Sequence, residues 1–186
     1  ELNQNIPAPL DEKTMFSFYV LSALQKSKKE FADLYELLRD EVKDRVANQI
    51  AAVGNERCRV MTDAQPPWAF LRTWRYLEKY GVVSIGSHYT FTLIGWWTID
   101  EKGNMVPMKT LEERGITIKD REHALRLLTE GFLKGGLVMA GFYSAQDKSD
   151  LMVKLMKQWH CDAAVIHLNR GCEGTALNQM ENRMAL

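Results

Sequence analysis

The sequence has few cysteines. Three among 186 residues do not make a disulfide framework, and no Cys-x-x-Cys or Cys/His spacing is present from which a complete four-ligand metal site could be built locally. A signal peptide and a membrane-length apolar run are also missing, which with so few cysteines predicts a reducing, cytoplasmic setting. Charge of one sign is missing too. Lys+Arg and Asp+Glu number 24 each, so no net field draws the chain onto nucleic acid or an anionic membrane. No G-x-G-x-x-G follows the first strand and no Walker lysine appears, which argues against the usual nucleotide folds. No internal repeat or low-complexity stretch is found. The chain begins at Glu1 without Met and stops at Leu186 on a still-periodic pattern with no C-cap, so we expect a piece of a longer protein.

What is present is globular material, 46% hydrophobic and 26% charged. Asp11 is placed to cap a helix carrying Met15, Phe16, Tyr19, Val20 and Leu24. Ser27 and Glu30 read as a capping box opening a long helix. Its apolar positions, at steps of three and four, are Phe31, Leu34, Tyr35, Leu38, Val42, Val46, Ile50 and Val53, and Gly54 ends it. Both helices read as packing elements of an N-terminal helical segment, residues 1–56. From 57 to 186 the pattern predicts an α/β domain, truncated at its C-terminus. Cys58 to Met61 is a strand, Thr62 to Pro67 a loop, and Trp68 to Tyr80 a helix with Phe70, Leu71, Trp74 and Leu77 inward. Gly81 closes that helix and Val82 to Ile85 is a second strand. Strand, helix and strand over so few residues demand a parallel crossover.

Beyond this, Phe91 to Ile99 is apolar and holds Trp96-Trp97, Asp100 to Asn104 is a turn, and Thr110 to Arg114 is a short helical piece. Asp120 caps a helix to Leu133 with Ala124, Leu125, Leu128 and Phe132 inward, while Leu137 to Ala140 fits either strand or helix. Ser144 with Asp147 starts a helix with Leu151, Leu155, Met156 and Trp159 inward. Ala163 to His167 reads as the last strand, and Thr175 to Leu186 as a helix with Leu177, Met180 and Met184 on one side. The fold predicted is α/β, a parallel Rossmann/flavodoxin-like sheet flanked by helices behind the helical segment.

In such sheets ligands bind beyond the carboxyl ends of the strands, where the loops Thr62 to Trp68, Gly86 to Thr92 and Asn169 to Thr175 should converge. Cys172 lies there in a Gly-flanked turn at a strand-to-helix junction, where backbone N–H groups favour a thiolate. Such a sulfur can bind metal, attack, or do neither. Cys58 and Cys161 border strands and read as small hydrophobes. His88 and Tyr89 form a candidate proton-donor pair, against the alternative of a hydrogen-bonded loop histidine. His167 reads as a satisfied core histidine; His123 and His160 face solvent or a helix end. Pro66-Pro67-Trp68 stiffens its loop and starts a helix, and Trp96-Trp97 suits core packing better than a cavity wall or subunit contact.

Asn169-Arg170-Gly171-Cys172 after Val165-Ile166-His167-Leu168 resembles the strand and Asn-Arg-Ser-Cys turn of the 2-hydroxyacyl-CoA dehydratase and benzoyl-CoA reductase family. Arg59-Val60-Met61 through Pro66-Pro67-Trp68, then Leu77-Glu78-Lys79-Tyr80-Gly81-Val82-Val83, resembles the same family's strand, proline loop and crossover. The order and spacing of these short motifs carry the resemblance from Arg57 onward, and the N-terminal helices fit less specifically. It implies an enzyme of two homologous subunits in which three cysteines hold a [4Fe-4S] cluster, fed single electrons by an ATP-hydrolysing activator. Cys172 matches the last of the three, with the other two expected upstream; Gly171 replaces the family's serine. The isolated piece is then expected to hold no stable cluster and to be inactive. Gly86-Ser87-His88-Tyr89-Thr90-Phe91 resembles the benzoyl-CoA reductase branch, which makes dearomatising reduction of benzoyl-CoA the first expectation. The alternatives are (R)-2-hydroxyacyl-CoA dehydration through a ketyl radical, and a non-catalytic scaffold or electron-relay subunit. The resemblance points to Pro66, Pro67, Trp68, Ser87, Asn169 and Arg170 for the acyl-CoA, with Trp68, Phe91 and Trp96-Trp97 as an apolar pocket and His88 or Tyr89 as proton donor.

Overall fold

The computed structural model describes residues 1–24, 27–63, 65–93, 96–134, 144–172 and 176–186. Its strands are β1 (Cys58–Asp63), β2 (Val82–Ser87), β3 (Trp97–Ile99), β4 (Met105–Pro107) and β5 (Ala163–Ile166). Its helices are α1 (Glu12–Leu24), α2 (Lys29–Ala47), α3 (Arg72–Glu78), α4 (His88–Leu93), α5 (Arg121–Lys134), α6 (Ala145–Gln158) and α7 (Gln179–Ala185). β2, β1 and β5 form a parallel three-stranded sheet in that order, flanked by helices as the α/β reading predicts. The core gathers Ala8 and Val53 from the N-terminal segment, Met61, Val83 and Ile85 from the sheet, and Phe91, Met105, Leu151, Met152, Leu155 and Trp159 around them. No helix among the described residues is long and apolar enough to cross a membrane.

Several sequence signals act as expected. Asp11 accepts from Thr14 N at 2.7 Å, Asp120 from His123 N at 2.7 Å, and Ser144 from Asp147 N at 3.0 Å, so each helix start is satisfied by its cap. Gly81 sits at φ +80, where a Cβ would lie 2.1 Å from the Asn55 carbonyl. β1 runs two residues further than expected because Thr62 and Asp63 find buried partners on helices instead of water. Asp100 to Asn104 turns β3 into an antiparallel hairpin with β4, and Gln158 docks it by bonding both the N–H (2.9 Å) and the carbonyl (2.7 Å) of Met105. Trp97 joins Phe91 and Trp159 in the core, as packing predicts.

Other expectations are corrected. α2 starts at Lys29 with no side-chain cap, so the Ser27–Glu30 box is not formed, and it ends at Ala47, where Gln49 at φ 56 turns the chain before Gly54. Within the helix only Val42 of its apolar stripe is buried, while beyond the helix end Val53 reaches the core and Ile50 is exposed. Trp68–Phe70 is a 3-10 turn, and its tighter winding puts Phe70 out of phase with Trp74, leaving it 70% exposed. Residues 110–114 make a turn closed by Arg114 N to Thr110 O, with no helix. α5 docks through Leu127 and Gly131, leaving Leu125, Leu128 and Phe132 exposed, because Gly131 lets the Trp96 ring lie against the helix where a Cβ would come within 2.6 Å. α7 spans Gln179–Ala185 after a turn at 177–178, with Thr175 outside the described residues, and it turns polar Asn182 inward, leaving Leu177, Met180 and Met184 exposed. Residues 137–140 lie outside the described residues.

The inward turn of α7 follows from a buried polar cluster. Asp63, at the end of β1, is 3.3 Å from Lys148 Nζ and accepts from Asn182 Nδ2 at 2.9 Å; Ser149 donates to Asn182 Oδ1 at 2.8 Å, and Lys148 donates to the Leu177 carbonyl at 2.8 Å. All four side chains are almost without exposure. Lys148→Met is expected to cost about 3–5 kcal/mol in urea unfolding, because it strands a buried charge, while the double variant Asp63→Asn/Lys148→Met costs less than the single one. Gly131→Ala is expected to cost about 1–3 kcal/mol in the same assay through its clash with Trp96.

Candidate functional site

Two of the three predicted loops are bonded together at the carboxyl edge of the sheet. Asn169 Nδ2 donates to Gln65 Oε1 at 2.7 Å, and His167 Nδ1 lies 2.8 Å from the Gln65 carbonyl, so His167 is satisfied as expected. Gly171 N donates to Asn169 Oδ1 at 2.8 Å, an Asx turn that shapes the backbone leading into Cys172. Gln179 at the head of α7 donates to the His167 carbonyl at 2.6 Å and fixes the far side of the loop.

The loop after β2 joins them through aromatic contact. Ser87 and Thr90 cap one another: Thr90 N donates to Ser87 Oγ at 2.9 Å and Ser87 N to Thr90 Oγ1 at 2.8 Å, which starts α4 at the strand end. Tyr89, in the first turn of α4, places its ring 6.2 Å from that of Trp68, which is 41% exposed. Gly86 before it, at φ +151, would bring a Cβ 2.9 Å from the Phe91 ring.

Tyr19, treated in the sequence as a packing residue, proves to belong here. Tyr89 Oη donates to Tyr19 Oη at 3.0 Å, the two rings stand 5.4 Å apart, and Tyr19 lies 6.2 Å and Phe16 5.4 Å from Trp68. α1 therefore supplies one wall of the site. The available signal was the pair Phe16 and Tyr19 one turn apart on a capped helix. Burial first, then the bond to Tyr19 and the electrostatic influence of Tyr19 and Cys172, push the Tyr89 phenol far above its usual value. The last of these puts Cys172 within electrostatic reach of Tyr89.

The remaining candidates fall as follows. Pro66 is buried and Pro67 half-buried immediately before Trp68 in the chain; Ser87 is buried within its Thr90 pairing; Asn169 is half-buried and Arg170 exposed. His88 opens α4, but its side chain lies outside the described residues. Cys172 is half-buried, and its carbonyl accepts from Ala176 N at 3.1 Å; residues 173–175 lie outside the description. Phe91 packs at 4.8 Å on Trp159, and Trp96 on Phe132 at 5.7 Å, so the aromatic wall beside Trp68 comes from α1 in place of the pocket expected from Phe91 and Trp96-Trp97.

The donor set allows Cys172 as one ligand of a larger group. Cys58 opens β1 and Cys161 precedes β5, so both stand at the amino edge, about 20 Å along the strands from the carboxyl edge. Burial, opposed by Arg59, pushes the Cys161 thiol up to about 12, and burial also raises Cys58, which suits inert packing residues. Among the described residues no three His, Cys, Asp or Glu side chains are grouped to hold a metal ion.

The chain is similar over 177 residues to the (R)-2-hydroxyisocaproyl-CoA dehydratase alpha subunit of Clostridioides difficile, at 22% identity. The match covers 94% of this chain and 37% of that protein, so the chain spans about a third of the length of this curated relative. Residues 1–186 match throughout the family described as 2-hydroxyglutaryl-CoA dehydratase, D-component, and the chain belongs to that family.

Proposed function

We propose that this chain is part of a subunit of a 2-hydroxyacyl-CoA dehydratase, a lyase removing the 2-hydroxyl and a neighbouring proton from an acyl-CoA. The family match over the whole chain carries this reading, and the dehydratase relative favours it over the benzoyl-CoA reduction suggested by Gly86 to Phe91. What supports the site is the meeting of Trp68, Tyr89 and Tyr19 at the sheet edge, with Cys172 in electrostatic reach of Tyr89.

In this reading Cys172 is one of three ligands of a [4Fe-4S] cluster, the other two lying outside this chain. When bound, the cluster supplies one electron at low potential, received from an ATP-hydrolysing activator. The chain's own residues do the rest. Pro66 and Pro67 hold Trp68 as a rigid apolar wall that excludes water from the acyl group. Tyr89, together with His88, is the candidate donor to the acyl oxygens. Asn169 and Ser87 border the site, and the exposed Arg170 is available to an anionic part of the coenzyme A. A second, homologous subunit completes the enzyme.

The decisive assay reconstitutes the full-length protein with its partner subunit, activator and ATP, and offers 2-hydroxyacyl-CoA and benzoyl-CoA separately. Turnover of the first with none of the second is expected; the reverse sinks the dehydratase reading. In the same preparation Cys172→Ala is expected to lower iron content and abolish turnover, and survival of both would favour a scaffold or relay subunit. Arg170→Ala is expected to raise KM about tenfold with kcat little changed, as for a charged contact made in ground and transition states alike.

A further inference from the structure

Tyr19 and Tyr89 meet across two helices, and a third group sets how those helices sit. Glu12, in the first turn of α1, is 0% exposed. Its carboxyl lies 2.8 and 3.0 Å from Thr62 Oγ1 on β1 and in close contact with Ser84 Oγ on β2, with the Ser87 hydroxyl near enough to act on it. Ser84 and Ser87 are three apart and would point to opposite faces of a regular strand. The pairing register slips here: Val60 faces Ser84 but Thr62 faces Ser87, so β2 carries one extra residue. That bulge turns both hydroxyls to the same carboxyl. Ser87 is in turn paired with Thr90 in the turn that bears Tyr89. Along α1, Glu12, Phe16 and Tyr19 stand at i, i+4 and i+7, one face of the helix, with Tyr19 about 10 Å beyond Glu12.

We propose that Glu12 is the positioning residue of this site: through Thr62, Ser84 and Ser87, its carboxyl seats α1 and α4 on the sheet and so sets the Tyr19–Tyr89 phenol pair against Trp68. That Tyr89 serves catalysis rests on the proposed function; the seating itself does not.

Among the described residues, the side chains that bond the Glu12 carboxyl carry hydroxyls. The charged group that acts on it is Asp11 on the same helix, itself 3.8 Å from Arg75 of α3. Burial first, then Asp11, raise the Glu12 carboxyl above its usual 4.5 against the opposing hydroxyl bonds. The folded value therefore exceeds the unfolded one. The seating is complete below about pH 4.5 and weakens as pH rises through the folded value, where a charge forms in a site sealed from water.

The test uses the full-length protein and reads the Trp68 emission, taken as the part lost in Trp68→Phe, together with the pH profile of turnover. In the wild type the emission is expected to shift red, and kcat to fall, across one step as pH rises through the folded value of Glu12. Glu12→Gln keeps the hydrogen bonds but cannot ionise, so the step disappears while the kcat of the low-pH form is retained. Glu12→Ala shows the shifted emission at every pH and loses about 100-fold in kcat with KM little changed. A Glu12→Gln protein that keeps the wild-type step overturns the proposal, even if Glu12→Ala fails to fold. So does a Glu12→Ala protein with unchanged emission. Emission that follows the expected pattern while turnover follows none of it upholds the seating and overturns the use of Tyr89 in the reaction.

Discussion

The polar side chains of the central strand govern this fold. β1 is paired on both edges and nearly every residue of it is buried, so Arg59, Thr62 and Asp63 have no water to bond and each must be met by another element. Arg59 answers by donating to the carbonyls of Asn3, Gln4, Asn5 and Trp159 and pairing with Glu56 at 2.9 Å. Asp63 draws in Lys148 and Asn182, and Thr62 draws in Glu12. Arg59 and Asp63 lie on one face of the strand and Thr62 on the other, so α6 and α7 gather on the first face and α1 on the second. The apolar core supplies most of the driving force, but it is indifferent to which helix covers which face. The buried hydrogen bonds are not, since each leaves a costly orphan if the wrong element arrives.

This explains which parts of the structure were legible in the sequence. Caps are local, and Asp11, Asp120 and Ser144 announce themselves by type and spacing alone. The parallel order of β1 and β2 follows from the short helix between them. Burial of a polar residue is a different matter, because it depends on a partner tens of residues away. Asn182 looks like solvent-facing helix until Asp63 and Ser149 are placed beside it, and hydrophobic periodicity then assigns Met180 and Met184 to the wrong side. α5 fails in the same direction for a steric reason, since Gly131 admits an indole where a larger residue would hold the helix away.

The site divides along the same line. Convergence of three loops at one sheet edge is a property of topology, and the bonds from Asn169 and His167 to Gln65 and the Trp68–Tyr89 contact are its local form. The contribution of α1 is not topological. It depends on Glu12 being matched by hydroxyls on two strands, one of which is brought round by a bulge that no pattern of apolar residues signals. Cys172 remains a single thiol at its edge because the other two cysteines lie at the opposite ends of the strands.

The state of Tyr89 bears on what it would do in the proposed reaction. A phenol pushed up by burial and by its bond to Tyr19 is a weaker acid than free tyrosine, which makes it slow to surrender its proton at neutral pH. The same surroundings favour a fixed, neutral hydrogen-bond donor, and such donors act most strongly on charge that develops in a water-poor site. Under the dehydratase reading, Tyr89 is therefore better suited to binding an acyl oxygen as it becomes negative than to giving up its proton outright. The proton that leaves with the 2-hydroxyl as water would then come from another group, and His88, one residue away at the head of α4, is the imidazole candidate.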